Sequence, residues 1–236
     1  MTRVLIVSPH RDDAAFSCGI AIRALARHAH VTIANFFTIS RYAPLSNIQP
    51  ELISGLRQQE DVAFAGLAGV ELRDLSLIDA PERLESSVSQ ISTLREFGDE
   101  DIACIERIRE HIVRFDADLV IAPLSLGNHI DHRIANAAAR RLGITATAFY
   151  EDLPYAARLP DSAAGERADA FQMALTPLEI RADDGYQWKQ KCVRRYPSQV
   201  GNETVLEISE YSKKYGCGER LWLAPGVAGW LGPLVV

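Results

Sequence analysis

The sequence predicts an α/β fold: a Rossmann-like, mostly parallel sheet flanked by helices, with its working groups at the C-terminal ends of the strands. Two observations carry this. Short apolar runs alternate with amphipathic stretches of helical period along the first 150 residues, as in chains of βαβ units. Two of those runs, Val4-Leu5-Ile6-Val7 and Leu119-Val120-Ile121-Ala122, are followed closely by clusters of His and Asp. Open α/β sheets bind their ligands just past strand ends of that kind.

Taken in order, residues 4–7 form a buried strand and residues 17–28 a helix with Ile20, Ala21, Ala24 and Leu25 on one face. Residues 31–38 are the next strand. Residues 51–67 are a helix with Leu52, Leu56, Ala63 and Leu67 apolar and Gly69 near its end, followed by a short strand over 70–77. Residues 99–115 give the clearest helix. Asp99 is the expected N-cap, Glu100 and Asp101 sit in the first turn, and Ile102, Ile105, Ile108 and Ile112 form the stripe. A strand over 119–122, a helix over 132–142 and a strand over 145–150 follow. The last third is less regular: a strand over 171–175, helices over 183–195 and 203–214, and an apolar segment 221–236. Pro225, Gly226, Gly229, Gly232 and Pro233 break that segment, which reads as chain packed on the body. The connections 40–50, 79–98 and 152–168 are long enough to serve as lids or specificity loops. No repeat or linker divides residues 1–236, so a single domain is expected.

Composition narrows the function. Apolar residues make up 47% and charged residues 24% of 236, with a net charge of −6, which gives no basic footprint for nucleic acid. No stretch approaches a membrane span, and the four-residue apolar run after Arg3 is too short for a signal peptide. Cys18, Cys104, Cys192 and Cys217 are too scattered for a zinc knuckle or disulfide framework, so reduced thiols and a cytoplasmic location are expected. A homo-oligomer is left open.

The chemistry lies in two clusters, His10-Arg11-Asp12-Asp13 and His129-Ile130-Asp131-His132. A hydrolytic metal site takes three protein ligands and keeps a position open. His10, Asp13 and His132 are the expected ligands, for Zn2+ or another divalent transition metal. Asp12, the carboxylate not spent on metal, is placed to take a proton from an acidified water and hand it to a leaving amine. His129 stands near the developing oxyanion and, if protonated, stabilises it. Asp131 hydrogen-bonds an imidazole and orients it. His28, His30 and His111 lack such context. Ser17, Cys18 and Ser125 lack the elbow or the base of a nucleophile.

The clusters resemble the signatures of the PIG-L/LmbE-like N-deacetylase family. Its first motif, Pro-His-x-Asp-Asp, stands here as Pro9-His10-Arg11-Asp12-Asp13, and its second, His-x-Asp-His, as residues 129–132. Tyr150-Glu151-Asp152-Leu153-Pro154-Tyr155 and residues 189–199, ending Tyr196-Pro197-Ser198-Gln199, are also similar to it. The resemblance implies a Rossmann-like fold, zinc, and hydrolysis of an acetamide on an amino sugar, with the roles assigned above. Ala14 and Arg11 depart from the frequent Glu and Pro. Some members carry a carbonyl-polarising Tyr where this chain has Gly127, so that help comes from elsewhere or is absent. The expected substrate is a small soluble N-acetyl sugar or aminoglycoside-like molecule, with Arg57, Asp79, Arg83, Glu151 and Asp152 bonding its hydroxyls. The competing readings are an amidase for another acyl group, a metal-binding module without catalysis, and a nucleotide or S-adenosylmethionine binder. The last lacks the Gly-x-Gly-x-x-Gly turn, since only Gly19 is present.

Overall fold

A computed structural model describes residues 1–143 and 146–231. Thr145, expected to open a strand, and residues 232–236 of the apolar terminal segment lie outside the described residues. The chain runs β1 (Arg3–Ser8), α1 (Asp13–Ala26), β2 (His30–Ile39), α2 (Pro50–Ala68), β3 (Glu71–Ile78), two short helices α3 (Ala80–Arg83) and α4 (Val88–Ile91), and α5 (Asp99–Arg114). It continues through β4 (Leu119–Pro123), α6 (Ile130–Arg140), β5 (Ala146–Tyr150), α7 (Ala163–Asp169), β6 (Thr176–Ile180), α8 (Gly185–Val193), α9 (Asn202–Ser212), β7 (Glu219–Leu223) and α10 (Ala228–Leu231).

The strands form one sheet in the order β3-β2-β1-β4-β5-β7-β6. The first five strands pair in parallel; β7 runs antiparallel to both β5 and β6. Chain order reverses between β1 and β4, so the crevice past their carboxyl ends is the switch point where such sheets bind ligands. β1 and β4 are buried along almost their whole length, which explains their continuous apolar runs. Helices α1, α2 and α8 pack together, and α5 packs on α6; right-handed crossovers put the two groups on opposite faces.

Several expectations shift. α1 starts at Asp13 rather than residue 17, which brings Asp13 into the first helical turn. α6 starts at Ile130, which makes His129 its N-cap. The cap of α5 is Gly98, whose backbone N–H donates to Asp101 at 2.9 Å, rather than Asp99. Ile102 is 44% exposed, whereas Ile105, Ile108 and Ile112 are buried. Six residues before Ile108, it lies roughly 120° from that residue around the helix, at the outer edge of the stripe. Residues 171–175 are not a strand: Phe171 is buried by stacking edge-on against Phe149 at 4.9 Å, while the ladder begins at Thr176. The antiparallel strand β7, hidden in the terminal apolar segment, completes the sheet instead.

β7 also anchors α1. That helix breaks at Cys18, where φ is −136° and ψ 26°. The freed N–H groups of Ile20 and Ala21 donate to Glu219 on β7, at 3.0 and 2.8 Å. Lys189 on α8 pairs with the same carboxylate and donates to the Phe16 carbonyl at 2.7 Å. The kinked helix carrying Asp13 is thus held by a buried ion pair that fills its broken turn. Glu219→Ala is expected to cost about 3–5 kcal/mol in urea unfolding, because Lys189 would be left buried and unpaired. A loss below about 1 kcal/mol, the range of an exposed pair, would contradict this.

Candidate active site

Each cluster is delivered by the turn after a switch-point strand. Pro9–Asp12 link β1 to α1, and Leu124–His129 link β4 to α6. The imidazoles of His10, His129 and His132 gather with ring centres 4.9–5.4 Å apart. Asp13 lies between two of them: Oδ2 is 3.2 Å from His10 Nδ1, and Oδ1 is 3.3 Å from His132 Nε2. The His10 backbone N–H donates to Asp13 Oδ2 at 2.7 Å and fixes the carboxylate.

Behind each of these imidazoles stands a second carboxylate. Asp131 Oδ2 is 3.1 Å from His10 Nε2, and Asp152 Oδ1 is 2.6 Å from His132 Nδ1. Asp131 is fixed by the Ala80 N–H at 2.8 Å and by Arg83 at 2.9 Å, Asp152 by the Leu126 N–H at 2.9 Å. These are the contacts that orient imidazoles toward a metal.

Among the described residues two triads could hold a divalent ion, His10–Asp13–His132 and His10–His129–Asp131, each with ligand atoms within 4.8 Å of one another. Their hydrogen bonding separates them. In the second, Asp131 already receives Ala80, Arg83 and His10, and His129 Nδ1 accepts from the Asp131 N–H at 3.2 Å. In the first, His132 Nε2 is buried with no hydrogen-bond partner, its approach to Asp13 being outside hydrogen-bond geometry. An orphaned buried nitrogen facing a carboxylate and a second imidazole is what a cation would satisfy, and two imidazoles with one carboxylate suit zinc.

Charge in the cluster follows these contacts. Burial works against an imidazolium at His10, but Asp13 and Asp131 more than offset it and bring that group up to about 10. Burial likewise opposes the Asp13 anion, and His132 and His10 outweigh it, bringing Asp13 down to about 2. His129 goes the other way: burial, reinforced by the neighbouring His10 charge, pushes it down to about 3. Those surroundings favour the neutral imidazole. Because its Nδ1 accepts from a backbone N–H, its proton sits on Nε2.

Asp12 is free of the usual duty of its position. It is the N-cap residue of α1 yet makes no side-chain cap. Its Oδ1 pairs with Arg57 at 3.2 Å, and Arg57 also donates to Ser40 Oγ at 3.2 Å. His10, Asp12, Asp13, Arg57, Asp79 and His129 all line one crevice, with Tyr42, Tyr155, Arg158 and Gln199 on its other walls. Sequence reasoning missed this second group, because nothing local to 42, 155, 158 or 199 shows that their loops converge.

The five residues expected to bond sugar hydroxyls divide. Asp79 faces the crevice. Arg57 does too, but its guanidinium is committed to Asp12. Arg83 is spent on Asp131 and the Ile78 carbonyl. Asp152 is fully buried behind His132. Glu151 receives Tyr211, Tyr215, Arg220 and Trp222 at 2.6–2.9 Å, away from the crevice. Glu151 and Asp152 thus make their contacts inside the protein, and Arg83 directs both terminal nitrogens inward, so none of the three presents itself to the crevice in this structure. Arg11 likewise turns away from the crevice, toward Asp74 at 2.9 Å and Asp61 at 3.7 Å.

The GlcNAc-PI de-N-acetylase (PIG-L) model matches residues 5–142, which include both clusters. The chain belongs to the PIG-L deacetylase family. It is 33% identical over 235 residues to 2'-N-acetylparomamine deacetylase of Streptomyces fradiae, covering 96% of this chain and 83% of that protein. It is similar in fold to a deacetylase of the teicoplanin biosynthesis pathway in its bog complex, with TM-score 0.75 and 23% identity over 94% of this chain and 97% of that one. The zinc-inhibited form of teicoplanin deacetylase superposes with TM-score 0.73 and 22% identity, over 94% and 97% of the two chains. In this PIG-L member residues 150–152 serve the interior, the Tyr150 hydroxyl donating to the Val7 carbonyl at 3.0 Å and Asp152 holding His132, while Leu153, Pro154 and Tyr155 line the crevice.

Asp152→Asn is expected to weaken binding of a divalent ion about 10–100-fold, read by chelator competition, because His132 loses the acceptor that sets its ring. Unchanged affinity would show that His132 needs no such holder.

Proposed function

We propose that the protein is an N-deacetylase that hydrolyses the acetamide of an N-acetylated amino sugar or aminoglycoside-like small molecule, with His10, Asp13 and His132 holding a divalent ion, zinc by its donor set. The observation that carries this is the pairing of an uncapping carboxylate, Asp12, with the two-His, one-Asp cluster whose His132 Nε2 lacks a partner. Family membership and the 2'-N-acetylparomamine deacetylase relative support the substrate class. When bound, the ion supplies Lewis acidity and an acidified water.

The chain's own groups do the rest. Asp12 accepts a proton from the attacking water and returns it to the departing amine, while Arg57 fixes its orientation through Oδ1. His129 donates its Nε2 proton as a hydrogen bond to the acyl oxygen as negative charge builds there. Asp131, backed by Arg83, and Asp152 keep the His10 and His132 rings from turning. Asp79 faces the crevice as an acceptor for a hydroxyl or amine of the sugar.

The test is acetate release from a panel of N-acetylglucosamine derivatives and N-acetylated aminoglycosides, with propionyl and larger acyl analogues alongside. Acetate release from the N-acetyl members supports the reading. Turnover of only the larger acyl amides would favour the amidase alternative, and turnover of none would contradict both.

Asp12→Asn is expected to keep its metal and lose at least about 100-fold in kcat, whereas Asp13→Ala loses the metal itself. Equal metal loss in the two would contradict the division of labour. His132→Ala is expected to lower zinc occupancy far more than His129→Ala, measured by metal analysis after dialysis. Full occupancy in the His132 variant would remove it from the ligand set.

A further inference from the structure

Among the described residues two crevice tyrosines, Tyr42 and Tyr155, have hydroxyls that make no hydrogen bond, and of these Tyr155 is the one whose ring packs against an imidazole of the His10–Asp13–His132 triad. Asp12 has Arg57, Asp13 has His10, and His129 Nδ1 has a backbone amide. The Tyr155 hydroxyl makes no hydrogen bond among the described residues, although its ring lines the crevice beside His10, Asp12 and His129.

The ring is seated by shape. It stands edge to face with His132, centres 5.5 Å apart and planes at 88°, and its centre is 6.4 Å from that of His129. Its base rests on Gly127, in the turn between β4 and α6. A β-carbon at that glycine would fall 2.5 Å from Tyr155 Cγ, which no side chain tolerates, and Gly127 has φ +78°, a conformation glycine adopts at no steric cost. Residue 127 therefore leaves room for one particular ring, and that ring stands against the imidazole that shares Asp13 with His10. A phenol is protonated at neutral pH, so the hydroxyl is available as a donor.

We propose that the Tyr155 hydroxyl is a second hydrogen-bond donor to the acyl oxygen of the substrate, acting with His129 Nε2. The assignment rests on the deacetylase reading above. Two donors on one oxygen stabilise the charge that develops when water adds to the carbonyl. The phenol gives a hydrogen bond and keeps its proton, so no proton is transferred by Tyr155. The Asp12 cycle then balances, with one proton taken from water and one delivered to the amine.

The test is Tyr155→Phe, which keeps the ring on Gly127 and against His132 and removes only the hydroxyl. Two readouts are taken on the metal-loaded protein: steady-state kinetics with an N-acetyl sugar, and calorimetric affinity for acetate, whose oxygen occupies the place of the acyl oxygen. A donor role predicts kcat lower by about 100-fold, KM within about twofold, metal content unchanged, and acetate bound about tenfold more weakly. A purely packing role predicts no change in either readout, and that result overturns the proposal whatever the wild type hydrolyses. If wild type releases acetate from no sugar but its acetate affinity still falls in Tyr155→Phe, the donor assignment stands and the deacetylase reading fails.

Discussion

One carboxylate joins the two halves of the site. Asp13 touches His10 through one oxygen and His132 through the other, and these histidines come from opposite sides of the switch point between β1 and β4. Everything that places Asp13 therefore bears on the chemistry. The His10 amide aims the carboxylate. α1 carries it in its first turn, and the Glu219–Lys189 pair secures that helix where its ladder breaks at Cys18. The antiparallel strand β7, far from the crevice in sequence, thus acts on the site through the helix it caps.

Around that carboxylate, the polar groups sort by what remains unspent. The carboxylates behind the imidazoles are satisfied by backbone amides and Arg83, so they act as fixed holders. Among the described residues, His132 Nε2 and the Tyr155 hydroxyl have no hydrogen-bond partner. Buried polar groups are ordinarily hydrogen-bonded, so a bare nitrogen facing a carboxylate and a second imidazole marks where an ion fits. Glu151 and Asp152, by contrast, are held by partners inside the protein, and the terminal nitrogens of Arg83 are turned to Asp131 and the Ile78 carbonyl.

The sequence showed the first five strands, their alternation with helices and the two clusters plainly, because apolar periodicity and local spacing are properties of short segments. Residues 4–7 and 119–122 read as strands because both faces are covered, and the groups after them had only one side of the sheet to meet on. What was not legible depends on contacts between distant segments. Glu151 and Asp152 are adjacent in sequence, yet one faces Tyr211 and Arg220 and the other faces His132. No local pattern separates them. β7 was hidden because its Glu-Arg-Leu-Trp-Leu run sits among prolines and glycines that suggest irregular chain. The start of α1 was set late because Asp12 and Asp13 read as turn residues, whereas Asp13 is helical and Glu219 repairs the break that follows. Tyr155 was visible only as the end of a family-like segment inside a long loop, since its place against His132 depends on what Gly127 lacks.

The most direct measurement is an anomalous difference map from crystals of the zinc-loaded protein. The account predicts one peak bonded, at about 2.0–2.2 Å, to His10 Nδ1, Asp13 and His132 Nε2, with Asp12 close by but not coordinated. A peak held by His10, His129 and Asp131 instead, or no peak between β1 and β4, would contradict it.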